Sequence, residues 1–239
     1  ACGASTVLTD QQIAAMVETM GAELPICLRA VTDRAGADWT GARPERNEVA
    51  YLQFTSGSTG HPKGVAVSHA NAVSNIRVMG EMLLLNSTKP AMVWAPHYHD
   101  LCLVGHVLGP MYYGYESTMM SPMEFLLKPI RWLRAMSHYR IANTACPNFG
   151  YEYSARRIKP EECEGLDLSH WIVAGNGGEP VLPQTMEVFI KKFGPYGFRP
   201  QTFMPTYGMA ESVLFVAGMK PLSQPPKVLR LSAADLEMH

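Results

Sequence analysis

Residues 51–71 read YLQFTSGSTGHPKGVAVSHAN, and the rest of the chain takes its meaning from them. The apolar run at 49–54 predicts a buried strand. A loop rich in Thr, Ser, Gly, Pro and Lys follows. Gly57, Gly60 and Gly64 admit backbone angles that other residues resist, so successive N–H groups can turn toward one anion. Thr55, Ser56, Ser58 and Thr59 add hydroxyl donors, and Lys63 adds a positive charge on a long stem. The alternation of Val65 and Val67 predicts a second strand, and Ser68 the N-cap of a helix over residues 69–79. Strand, donor-rich loop and strand together make a cradle for a polyphosphate.

Two other readings of the loop stand beside this one. A Walker P-loop needs glycine where Pro62 precedes the lysine, and Ser or Thr where Gly64 follows it, so that motif is excluded. A Ser/Gly linker between domains is the plainer alternative. Linkers, however, do not usually run between strong strands or carry a fixed Pro-Lys-Gly.

Outside the loop, composition narrows the class. The chain has 239 residues, 47% of them hydrophobic, and a net charge of −1, enough for a sizeable core in one or two domains. The absence of a basic excess gives no reason to expect nucleic acid as a partner. No apolar run reaches the length of a membrane span, and the start has no signal-peptide pattern. Cys2, Cys27, Cys102, Cys146 and Cys163 lack metal-ligand spacing and read as small buried hydrophobes in a reducing cytoplasm.

Strand and helix patterns alternate along the chain. Residues 5–8 and 25–31 read as strands flanking a helix at 11–20, and 33–47 as a polar surface crossing. Further strands are expected at 91–95, 117–120, 141–145, 171–174, 202–204 and 213–217. Helical patterns occupy 101–113, 129–139 and the stretch opened by Pro183. The fold class is therefore α/β with largely parallel sheets and flanking helices, a type that binds ligands at the carboxyl edge of its strands. Four clusters fall at such edges: the loop 55–64, His97 to Asp100, Asn176 to Pro180, and Thr206 to Glu211.

The string TSGSTGHPKGV resembles the phosphate loop of the adenylate-forming superfamily, which includes acyl-CoA synthetases, peptide-synthetase adenylation domains and fatty acyl-AMP ligases. The segment PHYHDLCLVGHVLGPMYYG, at 96–114, is similar to the acyl-AMP ligase form of the carboxylate-pocket wall. On its residues alone, His97-Tyr98-His99-Asp100 could also belong to a zinc site, though no companion ligand cluster stands out. Arg131-Trp132-Leu133 and Pro147-Asn148-Phe149 again resemble the acyl-AMP ligases, and their aromatics serve equally as core or as walls of an acyl channel. Asn176-Gly177-Gly178-Glu179-Pro180 resembles a turn whose backbone lies against adenine, with Gly178 where alanine is usual. Tyr207-Gly208-Met209-Ala210-Glu211 resembles the motif in which an aromatic lines adenine and the glutamate helps hold Mg²⁺; one carboxylate with phosphate oxygens suffices for that ion.

The resemblance implies ATP, AMP or acyl-AMP and Mg²⁺ as ligands. It implies nucleotide contacts from Thr55, Ser56, Gly57, Ser58, Thr59, Gly60, Lys63, Gly177, Gly178, Glu179, Tyr207, Gly208, Met209 and Ala210. Lys63, His99 and Glu211 are the expected catalytic residues, with Glu211 also the metal ligand. The implied reaction joins a fatty carboxylate to AMP with release of pyrophosphate, before transfer to the phosphopantetheine of an acyl carrier protein or of a carrier domain in a polyketide or peptide synthase. An acyl-CoA ligase, or a nucleotide-binding piece without turnover, is the alternative. In this frame residues 1–48 are the tail of an N-terminal subdomain and 49–218 the central nucleotide- and acyl-binding subdomain. Residues 219–239 begin an insertion or linker, and the expected C-terminal lid lies beyond His239.

Overall fold

The computed structural model describes residues 6–9, 15, 16, 19, 27–30, 41, 43–55 and 63–232. Two compact units divide at residues 45 and 46. In the first, strands β1 (Thr6–Thr9) and β2 (Cys27–Ala30) pair in parallel, as a βαβ unit requires. Residues 15, 16 and 19 are helical; the rest of the helix expected there, and most of the crossing at 33–47, lie outside the described residues.

The second unit begins with β3 (Val49–Phe54) and β4 (Gly64–Ser68), an antiparallel ribbon joined by the loop quoted above. The expectation of a buried β3 is corrected here. Among the described strands β3 pairs with β4 alone, so only the ribbon's inward face, with Tyr51, Val65 and Val67, meets the core. Leu52 and Phe54, on the other face, are exposed.

Ser68 caps helix α1 (His69–Leu83) as its sequence predicts. Its hydroxyl accepts from Asn71 N–H at 3.1 Å while Asn71 Oδ1 accepts from Ser68 N–H at 3.2 Å, so two orphan donors are satisfied reciprocally. The helix runs four residues past the expected end.

The main sheet has six strands in the order β10-β9-β8-β7-β5-β6. These are β5 (Ala91–Val93), β6 (Ser117–Met119), β7 (Asn143–Cys146), β8 (Val173–Asn176), β9 (Phe203–Gly208) and β10 (Phe215–Gly218). All pairs are parallel except β9–β10, a hairpin closing one edge. Strands β7, β8 and β9 begin one to two residues later than the patterns at 141–145, 171–174 and 202–204 suggest, and β9 runs four residues past its expected end.

Neighbouring residues of β5 belong to different cores. Met92 joins a cluster with Trp132, Tyr151, Trp171, Phe189 and Phe203, whereas Ala91 joins one with Ile76, Met79, Val104 and Tyr115. Because side chains alternate along a strand, the sheet is buried on both faces, the condition parallel sheets require. On the first face lie α4 (Pro122–Leu127), α5 (Ile130–His138), α6 (Asn148–Arg157) and α7 (Pro183–Phe193). On the second lie α1 and a composite helix: α2 (Asp100–Cys102), a π-helical stretch (Leu103–Leu108) and α3 (Gly109–Tyr113). Cys102, Cys146 and Cys163 are buried free thiols, as read from their apolar surroundings. No helix among the described residues is long and apolar enough to cross a membrane.

Candidate active site

The chain leaves β5 for β6 on one side and leaves β7 for β8 on the other, so a crevice forms at the carboxyl ends between them. A cavity of about 480 Å³ occupies it, within the usual range for a small-molecule site. Ala95 and Pro96 after β5, Cys146 at the end of β7 and Pro147 just past it line its mouth. The body of the cavity lies against the sheet face that α1 and the π-helical stretch cover.

Gly177 and Gly178, just past β8, line the mouth at the far side, with Thr206, Tyr207 and Gly208 of β9 beside them. A Cβ on Gly177 would stand 2.5 Å from the Thr206 carbonyl, so only glycine lets the two backbones approach this closely. Gly178 has φ +80°, which accounts for glycine where the resembled motif has alanine. The turn is anchored from below by amides. Asn148 Oδ1 accepts from Leu182 N–H at 3.0 Å and from Asn176 Nδ2 at 3.3 Å, and Asn148 Nδ2 donates to Thr185 at 3.1 Å. The Glu179 carboxylate accepts from Phe149 N–H at 2.6 Å, at the positive end of α6. Its side chain is thus committed to α6, and Glu179 does not line the cavity.

Tyr207 is exposed on β9, its hydroxyl 3.8 Å from Met209 Sδ. Ala210 and Glu211 sit in the 3₁₀ turn Ala210–Ser212 that links β9 to β10. The Glu211 carboxylate is exposed and makes no hydrogen bond or ion pair with a described residue. Val213 follows at φ 73°, ψ −58°, a costly conformation for a β-branched residue. Asn75 of α1 holds this turn. Its Nδ2 donates to the carbonyls of Ser212 (3.1 Å) and Phe215 (2.9 Å), and its Oδ1 accepts from Phe215 N–H (3.0 Å). Sequence reading passed over Asn75, because one asparagine within a helix carries no signal until its partners, some 140 residues away, are known.

Thr55 N–H donates to the Lys63 carbonyl at 3.0 Å and so closes the base of the phosphate-type loop. Lys63 is exposed, and its ammonium makes no ion pair with a described residue. Ser56, Gly57, Ser58, Thr59 and Gly60 lie outside the described residues. Gln53 Nε2 donates to the Tyr98 carbonyl at 3.1 Å, tying the ribbon to the 97–100 segment.

His99 and Asp100 line the cavity mouth. His99 Nδ1 lies 2.7 Å from Asp100 Oδ1 and 3.1 Å from Leu101 N. One nitrogen cannot both donate to the carboxylate and accept the amide, and the shorter contact marks it as the donor; Leu101 N–H has Asp100 Oδ1 at 2.7 Å instead. The hydrogen bond to Asp100 raises the His99 pKa against the opposing effect of burial. Burial, with the negative Asp100 adding to it, raises the hydroxyl of Tyr51. Among the described residues no group of three or more His, Cys, Asp or Glu side chains could hold a metal ion.

A family model described as AMP-binding enzyme matches residues 1–233. A medium-chain-fatty-acid–acyl-carrier-protein ligase of Moorena producens is 38% identical over 242 residues, covering 98% of this chain and 41% of that protein. Another, of Teredinibacter turnerae, is 40% identical over 196 residues, covering 82% of this chain and 30% of its own length. Among solved structures, a fatty acyl-adenylate ligase from L. pneumophila in complex with acyl adenylate and pyrophosphate matches with a TM-score of 0.84 and 39% identity. That match covers 91% of this chain and 38% of the other. The chain thus spans less than half the length of each of these relatives.

Proposed function

We propose, since this chain belongs to the AMP-binding enzyme family, that it supplies the nucleotide and acyl sites of a fatty acyl-AMP ligase. In that reaction a fatty carboxylate oxygen attacks the α-phosphorus of ATP, the bond to the β-phosphate oxygen breaks, and pyrophosphate leaves. The observation that carries the reading is a cavity with a glycine-lined polar mouth and a largely apolar interior. Adenine lies against the backbone of Gly177 and Gly178 beside Tyr207, while the alkyl chain runs inward along the sheet.

Catalysis of such a displacement is mostly positioning and charge neutralisation. Lys63 and the N–H and hydroxyl groups of residues 55–60 bind the β- and γ-phosphates. His99, fixed by Asp100, stands at the mouth where the carboxylate enters. Glu211 fits the role of Mg²⁺ ligand: its carboxylate is exposed, uncommitted among the described residues, and held on a clamped turn. When bound, the ion would neutralise charge on the phosphate oxygens. Glu179 braces the glycine turn by giving its carboxylate to α6; Gly208, Met209 and Ala210 carry Tyr207 and Glu211. The acyl group then passes to the phosphopantetheine thiol of a carrier protein, in the cytoplasm.

ATP–pyrophosphate exchange with a panel of fatty acids tests the adenylation, using the protein at the full length of its relatives. Exchange that depends on a fatty acid is expected, and exchange with none of them would refute the reading. The acceptor is tested separately. Acyl-AMP should accumulate with free CoA and discharge onto a phosphopantetheinylated carrier, whereas rapid acyl-CoA formation would assign the chain to the CoA ligases.

A further inference from the structure

The inner end of the cavity holds polar groups that its apolar walls do not satisfy. Ala91, Ser117, Asn143 and Val173 lie side by side across four strands, in register. Alternation puts Asn143 on the same sheet face as Ala145, Val173 and Gly175, all of which line the cavity. Asn143 is 4% exposed, and neither its Nδ2 nor its Oδ1 has a hydrogen-bond partner. On the other side of β5, His106 of the π-helical stretch also lines the cavity, its Nδ1 3.2 Å from Ser117 Oγ. Burial depresses His106 to a pKa of about 4, so at neutral pH it is an uncharged donor-acceptor pair. The surrounding walls, Met79, Leu83, Leu85 and Ala91, are apolar.

A buried amide with both ends unpaired costs a few kcal/mol and is rare in native proteins. In a ligand site the natural partner is the ligand itself. The distance between the two ends of the cavity then fixes where on the ligand that partner must be. Asn143 opens β7 and Pro147, just past the end of that strand, lines the mouth, four residues on or about 13 Å. An extended chain of single bonds advances about 1.2 Å per bond, as an extended backbone does. Roughly ten bonds therefore separate the carboxylate from the polar floor.

We infer that the acyl substrate is a medium-chain carboxylic acid with a hydroxyl or carbonyl group near its far end, which Asn143 binds at the cavity floor beside His106. The inference rests on the adenylation reading above. Asn143 is a specificity residue in this account, remote from the reacting phosphorus, and sequence offered a faint trace of it. The pair Asn143-Thr144 interrupts an otherwise apolar, buried strand, but that both line a cavity becomes visible only in the fold.

The test compares decanoic acid with 10-hydroxydecanoic acid in acyl-AMP formation by the protein at the full length of its relatives. The hydroxy acid is expected to have the higher kcat/KM, by roughly tenfold, the value of one buried hydrogen bond. Asn143→Leu should abolish or invert that ratio while adenylation of decanoic acid persists. If decanoic acid matches or exceeds the hydroxy acid in the unsubstituted protein, the inference is overturned whether or not the variant folds, and an ordered water satisfies Asn143 instead. A ratio unchanged by Asn143→Leu overturns it equally. Failure of every acid to be adenylated would refute the adenylation reading itself, an outcome distinct from the other two.

Discussion

Asn75→Ala should uncouple the Glu211 turn from α1. The substitution removes three hydrogen bonds, of 2.9, 3.0 and 3.1 Å, from the backbone on either side of Val213. Each contributes about 0.5–1.5 kcal/mol net. Asn75 is only partly buried, so water can replace some of them, and a loss of about 2 kcal/mol is expected. For a domain of this size that corresponds to a Tm lower by about 4–8 °C. The strained backbone at Val213, φ 73°, costs about 1–3 kcal/mol and persists only while its neighbours over-determine it. Relaxation of that residue would move Glu211, two positions earlier. The variant should therefore raise KM for Mg·ATP several-fold and leave KM for the fatty acid within about twofold. Asn75→Asp is a sharper probe, since it sets a carboxylate oxygen against the Ser212 and Phe215 carbonyls and should cost at least as much. Thermal unfolding gives the stability and initial rates at varied Mg·ATP give the split. An unchanged Tm, or equal loss of kcat/KM for both substrates, would refute the clamp.

Three further outcomes follow from the same geometry. Lys63→Ala should weaken ATP far more than AMP; equal losses by calorimetry would place the ammonium away from the terminal phosphates. Gly177→Ala drives a methyl into the Thr206 backbone, so nucleotide affinity should fall at least tenfold, and a Kd within twofold by equilibrium binding would contradict that close approach. Asp100→Asn should return the His99 pKa, raised by its bond to Asp100, toward the ordinary 6.5. Because the folded pKa is raised, any stabilisation from the pair is present below the unfolded value and lost as pH rises through the folded one. NMR titration of the imidazole against pH measures the shift, and an unaltered midpoint in Asp100→Asn would mean that Asp100 is not its cause.

Much of this architecture is legible from local chemistry. Ser68 announces the start of α1, Pro183 the start of α7, and the run of small hydroxyl and glycine residues at 55–64 marks the loop between β3 and β4. What local chemistry does not carry is the partner. The apolar residues of β3 read as buried because sequence does not show that the strand lies in a two-stranded ribbon with one inward face. Glu179 reads as part of a nucleotide turn, and its commitment to Phe149 N–H becomes visible only when α6 is brought beside β8. Asn75 and His106 remain silent, and Asn143 nearly so, for the same reason: each is a common polar residue whose meaning lies in what the fold sets against it.

The π-helical stretch Leu103–Leu108 closes with Gly109 N–H bonded to the Val104 carbonyl, five residues back. Such a stretch is an α-helix that has absorbed one extra residue. Deleting one residue within it would restore ordinary winding, so the turns on either side would keep their phase while the side chains of the widened turn itself change direction. His106 would swing away from Ser117 and the cavity floor, while Asp100 and the His99 pair at the mouth could keep their places. A single-codon deletion here thus offers a way to change which acids are accepted without touching the adenylating end, a change of lock that leaves the door on its hinges.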